Sequence, residues 1–170
     1  MKRYFVELAY KGTNYHGWQI QQNAHSVQEE VNKALSTILQ EEIMVTGAGR
    51  TDTGVHAEQF FIHFDAHANF DLKNLTYKLN CILPSDISCY NSFEAKNDWH
   101  ARFSATTRTY EYRISTVKNP FLTELTYFFP HELNVEKMNR GASFLIKETD
   151  FSCFSKSKTD TFTNICNVTE

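Results

Sequence analysis

Residues 26–40 read S-V-Q-E-E-V-N-K-A-L-S-T-I-L-Q, and residues 43–48 read I-M-V-T-G-A. The first stretch places Val27, Val31, Ala34, Leu35, Ile38 and Leu39 on one helical stripe. Ser26 with Glu29 three residues later forms a capping box, which marks the start of that helix. The second stretch predicts a strand. Upstream, Y-F-V-E-L-A-Y (4–10) alternates with Tyr4, Val6, Leu8 and Tyr10 on one face, the period of a strand. Downstream, E-Q-F-F-I-H-F-D (58–65) predicts a strand. D-L-K-N-L-T-Y-K-L-N (71–80) predicts a helix capped by Asp71, with Leu72, Leu75 and Leu79 on its apolar side. I-S-C-Y-N-S-F-E-A (87–95) predicts a further strand. The order β-α-β-β-α-β defines an α+β fold, ferredoxin-like or RRM-like, with a mainly antiparallel sheet.

The pattern then begins again. T-R-T-Y-E-Y-R-I-S-T-V (107–117) alternates, with Arg108, Tyr110, Tyr112 and Ile114 on one face. Asn134 is placed to cap a helix running to about Lys147, with Leu133 and Met138 in staple positions. T-F-T-N-I-C-N-V (161–168) predicts another strand. The fold is therefore expected to be extended by part of a second such unit, dividing the chain into domains at 1–105 and 106–170. A last strand with no partner leaves an open sheet edge, which proteins avoid. The expectation is that the second unit is truncated and the chain is a fragment of a longer protein.

Composition narrows the function classes. The chain has 170 residues, 41% hydrophobic and 22% charged, with 14 Phe, 8 Tyr and 2 Trp. A packed core is expected rather than disorder. No apolar run approaches the roughly 20 residues needed to span a bilayer, and the N-terminus M-K-R-Y-F-V-E-L-A-Y reads as a strand rather than a signal peptide. Cys81, Cys89, Cys153 and Cys166 form no C-x-x-C pair, so reduced thiols in a cytoplasmic protein are expected. The net charge is −3, yet charge is segregated. Lys96, Arg102, Arg108, Arg113 and Lys118 face only Asp98 and Glu111 between residues 96 and 118, whereas residues 28–42 set Lys33 against Glu29, Glu30, Glu41 and Glu42. That permits a basic face on an acidic protein.

Residues 47–57, G-A-G-R-T-D-T-G-V-H-A, lie between two predicted strands and hold three of the six glycines. A phosphate loop is excluded because no G-K-[ST] and no helix follow. A dinucleotide fingerprint is excluded because the third glycine is missing and a strand follows. Arg50 and Asp52 are two apart, so in extended chain they project to one side. A guanidinium beside a carboxylate favours the ionised acid, which suits a nucleophile or a base. Spacing alone leaves a second reading open, a tight connection carrying a surface salt bridge.

Three motifs resolve the choice. G-R-T-D-T-G-V-H-A (49–57) resembles the R-T-D-x-G-V-H-A signature of the tRNA pseudouridine synthase A family. Y-K-G-T-N-Y-H-G-W-Q (10–19) is similar to that family's Y-x-G-x-x-Y-x-G-W-Q. D-W-H-A-R-F-S-A-T-T-R-T-Y-E-Y (98–112) is similar to its H-A-R-F-S-A-x-x-R-x-Y-x-Y. The resemblance runs through essentially the whole chain in order, while the family's basic and apolar C-terminal motif has no counterpart here.

The resemblance implies an isomerase that converts uridine to pseudouridine in tRNA without a cofactor or metal. Asp52 maps onto the family's essential aspartate, a nucleophile at the ribose C1′ or the uracil ring, or a base. Arg50 is expected to pair with Asp52 and to fill the space of a flipped uridine, and Tyr110 to stack on the target base. Tyr112 is expected in the core. Arg108 is the leading phosphate contact, with Arg102 and Arg113 behind it. His56 is expected to touch RNA or to orient the loop, and Tyr15 and Trp18 to stack on RNA or to be buried. The family further implies a homodimer acting on positions 38–40 in the anticodon stem–loop.

His63, Asp65 and His67 share a strand face, but no fourth zinc ligand accompanies them. Two rivals remain. One is a non-catalytic RRM-like RNA-binding module. The other is a glycoside hydrolase in which Asp52 works with a second carboxylate, for which the stretch offers only Glu58. The chain on its own is expected to show little or no turnover.

Overall fold

Alternation in the first strand sets up two unlike sheet faces. The computed structural model describes residues 1–67, 70–155 and 163–169. In β1, Lys2–Tyr10, the side chains of Tyr4, Val6, Leu8 and Tyr10 are buried in the main core. β1 pairs antiparallel with β3 (Ala57–Ala66) on one edge and with β4 (Ile87–Ala95) on the other. β2, Thr46–Gly47, adds antiparallel to the outer edge of β3. The strand order is β2-β3-β1-β4.

The helices form where the apolar stripes predict them. α1 spans Val27–Leu39, and the Glu29 amide donates to Ser26 Oγ at 3.3 Å. α2 spans Leu72–Ile82, and the Lys73 amide donates to Asp71 Oδ1 at 3.0 Å. Val27, Val31, Ala34 and Leu35 of α1 join Leu75 and Leu79 of α2 in one cluster with the sheet residues Phe60, Ile62, Phe64 and Ala66. Both helices thus supply the same core, and truncating a buried leucine such as Leu35 to alanine costs about 2–5 kcal/mol in such a setting.

The predicted strand at 43–48 pairs over only two residues. Ile43 and Val45 are buried, but α1 side chains take over their backbone groups. The Val45 amide donates to Asn32 Oδ1 at 3.0 Å, the Ile43 amide to Ser36 Oγ at 2.9 Å, and Gln28 Nε2 donates to the Val45 carbonyl at 2.8 Å. Once those groups are satisfied by side chains, no strand ladder is needed there.

The opposite sheet face carries a second, smaller aromatic cluster. Phe5 stacks between His63 (5.6 Å) and Phe93 (5.7 Å), and Trp99 meets it edge-on. Residues 96–104 fold over this cluster. The Ala101 amide donates to His63 Nδ1 at 3.1 Å, and Arg3 Nη1 donates to the Trp99 carbonyl at 2.8 Å. Arg3 also grips Asp65 with two hydrogen bonds, at 2.8 and 2.7 Å. His63 and Asp65, considered above as metal ligands, are thus engaged by Ala101 and Arg3.

Contacts divide the chain into two compact units, Met1–Arg113 and Ile114–Glu170. The second begins with β5 (Ile114–Ser115) and β6 (Tyr127–Phe128), a short parallel pair. Next comes α3, Val135–Leu145, where the Lys137 amide donates to Asn134 Oδ1 at 2.8 Å. The predicted strand at 107–117 is a correction: only Ile114–Ser115 of it is strand. Among the described residues no strand pairs with 105–113, and alternation without a partner ladder does not make a strand. Tyr112, expected in the core, is 75% exposed for the same reason. Of the strand predicted at 161–168, residues 161 and 162 lie outside the described residues, and Ile165 makes a single bridge to Asp150. Among the described residues no helix is long and apolar enough to cross a membrane, and the four cysteines are free thiols.

Burial, helped by the charges of Arg3 and His100 and opposed by Asp65, pushes the His63 pKa down to about 4 from 6.5. A histidine whose folded pKa lies below its unfolded value leaves stability intact above about pH 6.5 and removes it as pH falls toward 4. The shift corresponds to roughly 3 kcal/mol lost below pH 4. Urea unfolding at pH 7 and pH 4.5 is expected to show a smaller acid loss for His63→Asn, which keeps an acceptor facing Ala101 but does not titrate.

Candidate active site

The loop joining β2 to β3, residues 48–56, has almost no apolar side chain of its own to hold it. Its shape comes from a neighbouring segment, residues 10–18. Trp18 donates its amide to the Thr51 carbonyl (3.3 Å), and the Gly54 amide donates to the Tyr15 carbonyl (3.2 Å). Tyr10 Oη and Thr51 Oγ1 are hydrogen-bonded at 3.1 Å. The Gly12 amide donates to His56 Nδ1 at 3.0 Å.

Segment 10–18 is itself fixed from behind. Tyr15 Oη donates to Asp86 Oδ1 at 2.6 Å, Asn14 Nδ2 donates to Oδ2 at 3.3 Å, and the Lys11 amide donates to the Asp86 carbonyl at 2.8 Å. Tyr15 and Trp18 are each 2% exposed, so they are core residues of this support and present no ring to solvent. Burial raises the Tyr10 pKa to about 12, so its hydroxyl keeps its proton at neutral pH.

Two glycines make the approach possible. A Cβ on Gly12 would collide with the Val55 carbonyl oxygen, and one on Gly17 with the Thr51 carbonyl oxygen. Gly17 also has φ +86°, a conformation open chiefly to glycine. Within the loop, Gly54 at φ +79° and a hydrogen bond from the Val55 amide to the Asp52 carbonyl (3.2 Å) close a tight turn.

This turn leaves Asp52 and Arg50 exposed at the protein surface. His56 is half-buried and serves as the acceptor for Gly12, which gives it a role in orienting the loop. Arg108 lies against the loop's first residues: its Nη2 donates to the Ala48 carbonyl at 3.0 Å and to the Arg102 carbonyl at 2.7 Å. Tyr110 is carried two residues farther on, with 82% of its surface exposed. Arg113, a candidate phosphate contact, is bonded to Glu111 (2.8 Å) and Glu58 (2.6 Å). Arg102 lies over the ring of Phe103, 5.6 Å from its centroid.

The supporting residues Tyr10, Gly12, Gly17, Thr51 and Asp86 were not singled out from the sequence. The signal was present in the glycine spacing of Y-K-G-T-N-Y-H-G-W, but what the glycines approach is visible only in three dimensions.

An exposed carboxylate and an exposed guanidinium thus stand on a glycine-shaped turn at the edge of an antiparallel sheet. A family profile described as tRNA pseudouridine synthase matches residues 8–104, which include that turn and its support. The chain belongs to the tRNA pseudouridine synthase family. It is 51% identical over 168 residues to tRNA pseudouridine synthase A of Bacteroides thetaiotaomicron, covering 99% of this chain and 62% of that protein. It is 50% identical to tRNA pseudouridine synthase A of Bacteroides fragilis, with 99% and 67% covered. It is 45% identical to tRNA pseudouridine synthase A of Porphyromonas gingivalis, with 100% and 68% covered. The chain therefore spans slightly under two thirds of the first relative's length and about two thirds of the other two.

Adding one methyl group at Gly17 tests the support. Gly17→Ala is expected to lower stability by about 1–3 kcal/mol, through strain at positive φ and the collision with Thr51. A thermal melt measures the loss.

Proposed function

We propose that the protein of which this chain forms part isomerises uridine to pseudouridine in tRNA, with Asp52 as the reacting carboxylate. The observation that carries the reading is Asp52 itself, presented to solvent on a turn clamped by segment 10–18. The reaction breaks the bond from N1 to C1′ and forms one from C5 to C1′. The C5 proton is released and N1 gains one, so no cofactor is needed for balance. The carboxylate acts as nucleophile at C1′, forming an ester as the bond to N1 breaks, and is displaced in turn when C5 of the turned uracil bonds to C1′. Arg50 pairs with it and occupies the space of the flipped base, Tyr110 stacks on that base, and His56 holds the loop. Extruding the base costs about a few kcal/mol, which stacking on an exposed ring partly offsets.

The antiparallel order β2-β3-β1-β4 with both helices feeding one core supports a ferredoxin-like topology for residues 1–105, with the start of a second unit after it. By the family resemblance, the substrate is the anticodon stem–loop, the protein works as a homodimer, and its place is the cytoplasm. The hydrolase reading loses support because Glu58, its second carboxylate, is held by Arg113 at 2.6 Å.

Tritium release from an unmodified tRNA transcript labelled at uridine C5, with the full-length gene product, tests the proposal. Asp52→Asn is expected to lower the rate by at least about a thousandfold while filter binding of the tRNA stays within a few-fold. Unchanged turnover would point to an RNA-binding module, and release of free uracil to a hydrolase. Tyr110→Ala is expected to lose about 1–3 kcal/mol of stacking, seen as a 5- to 150-fold fall in kcat/KM, with Tyr110→Phe close to the parent.

A further inference from the structure

Arg108 has the sequence position of a phosphate contact, but its geometry is that of a tether. A single guanidinium nitrogen donates to two main-chain carbonyls from different parts of the chain, Ala48 at 3.0 Å and Arg102 at 2.7 Å. Its Nε lies 3.9 Å from where a Cβ on Gly49 would stand. The guanidinium is thus laid along the two residues that precede Arg50.

Both carbonyls are anchored independently. Ala48 donates its own amide to the Phe61 carbonyl of β3 at 2.8 Å. The Arg102 carbonyl follows Ala101, whose amide donates to the buried His63. The His100–Ser104 turn is closed by two hydrogen bonds. The Ser104 amide donates to the His100 carbonyl at 2.8 Å, and the His100 amide donates to Ser104 Oγ at 2.9 Å. A donor bridging two such fixed points restrains the entry to the loop. On the exit side, His56 accepts from Gly12.

We infer that Arg108 is a positioning residue for the reaction, acting through the loop that carries Asp52, rather than a residue that binds RNA phosphate. The inference rests on the reading of Asp52 as the reacting carboxylate. Neither carbonyl neutralises the guanidinium, but its hydrogens toward Ala48 and Arg102 are committed to protein. A lysine reaches one bond less far and lacks the planar fork, so it keeps the charge without closing the bridge.

The experiment uses the full-length protein and its Arg108→Gln and Arg108→Lys variants. Single-turnover tritium release is measured at saturating tRNA, and filter binding of the same transcript at salt concentrations from 50 to 200 mM. The expected result is a fall of about 10- to 100-fold in the saturated rate in both variants. The binding constant and its salt dependence should be unchanged in Arg108→Gln. Thermal melts of both variants within a few degrees of the parent would show that the fold is retained.

A phosphate contact gives the opposite pattern, and it overturns the inference. Binding weakens in Arg108→Gln, the salt slope drops by about one, and Arg108→Lys recovers both with a normal saturated rate. A saturated rate unchanged in both variants overturns it as well. If Asp52→Asn abolishes turnover and the Arg108 variants do not slow it, this inference alone fails. If Asp52→Asn is fully active, the functional reading beneath it fails.

Discussion

The main-chain contact between segment 10–18 and the loop at 48–56 is the constraint on which the site depends. The loop has few apolar side chains, so it cannot be held by burial. It is held by hydrogen bonds to Trp18, Tyr15, Tyr10 and Gly12, and those bonds need the two backbones to come closer than any Cβ at Gly12 or Gly17 permits. The glycines lose more conformational entropy on folding than other residues. Here their lack of a side chain is what lets the loop carrying the exposed Asp52 sit against segment 10–18.

Rigidity then propagates from the core outward. Trp18 and Tyr15 are buried in the same cluster as the helix residues Val27 and Val31, so the support shares the stability of the whole first unit. Asp86 ties that support to the start of β4. On the second face of the sheet, His63 and Arg3 hold Ala101 and Trp99, and Arg108 connects the next residue, Arg102, to the beginning of the loop. Arg50 and Asp52 are on a loop, but each end of it leads back to packed structure. Such an arrangement leaves both side chains open to solvent while the loop that carries them is restrained.

Legibility in the sequence varied with the kind of signal. The helices at 27–39 and 72–82 and the strands at 2–10, 57–66 and 87–95 follow from period and caps, because burial on one face imposes a repeat that residues report directly. The strand expected at 43–48 shrank to Thr46–Gly47, because Gln28, Asn32 and Ser36 supply hydrogen bonds that no local pattern announces. The strand expected at 107–117 shrank further: its alternation is real, but among the described residues no neighbouring strand pairs with 105–113. Tyr112 accordingly stands exposed. For the loop, a motif points to Asp52 and Arg50, while nothing local points to Tyr10, Thr51 and Asp86, since each acts through a partner 41 to 71 residues away.

The sequence by itself determined the order of the elements in the first unit and the sidedness of its sheet, since periodicity and capping residues are local properties of the chain. Tertiary structure alone decided that the Y-K-G-T-N-Y-H-G-W stretch is the support of the loop, that Trp18 and Tyr15 face the core, and that Arg108 spans two carbonyls. Those facts depend on distances between residues far apart in the chain, and closing such distances is the work of packing, which no short window of residues encodes.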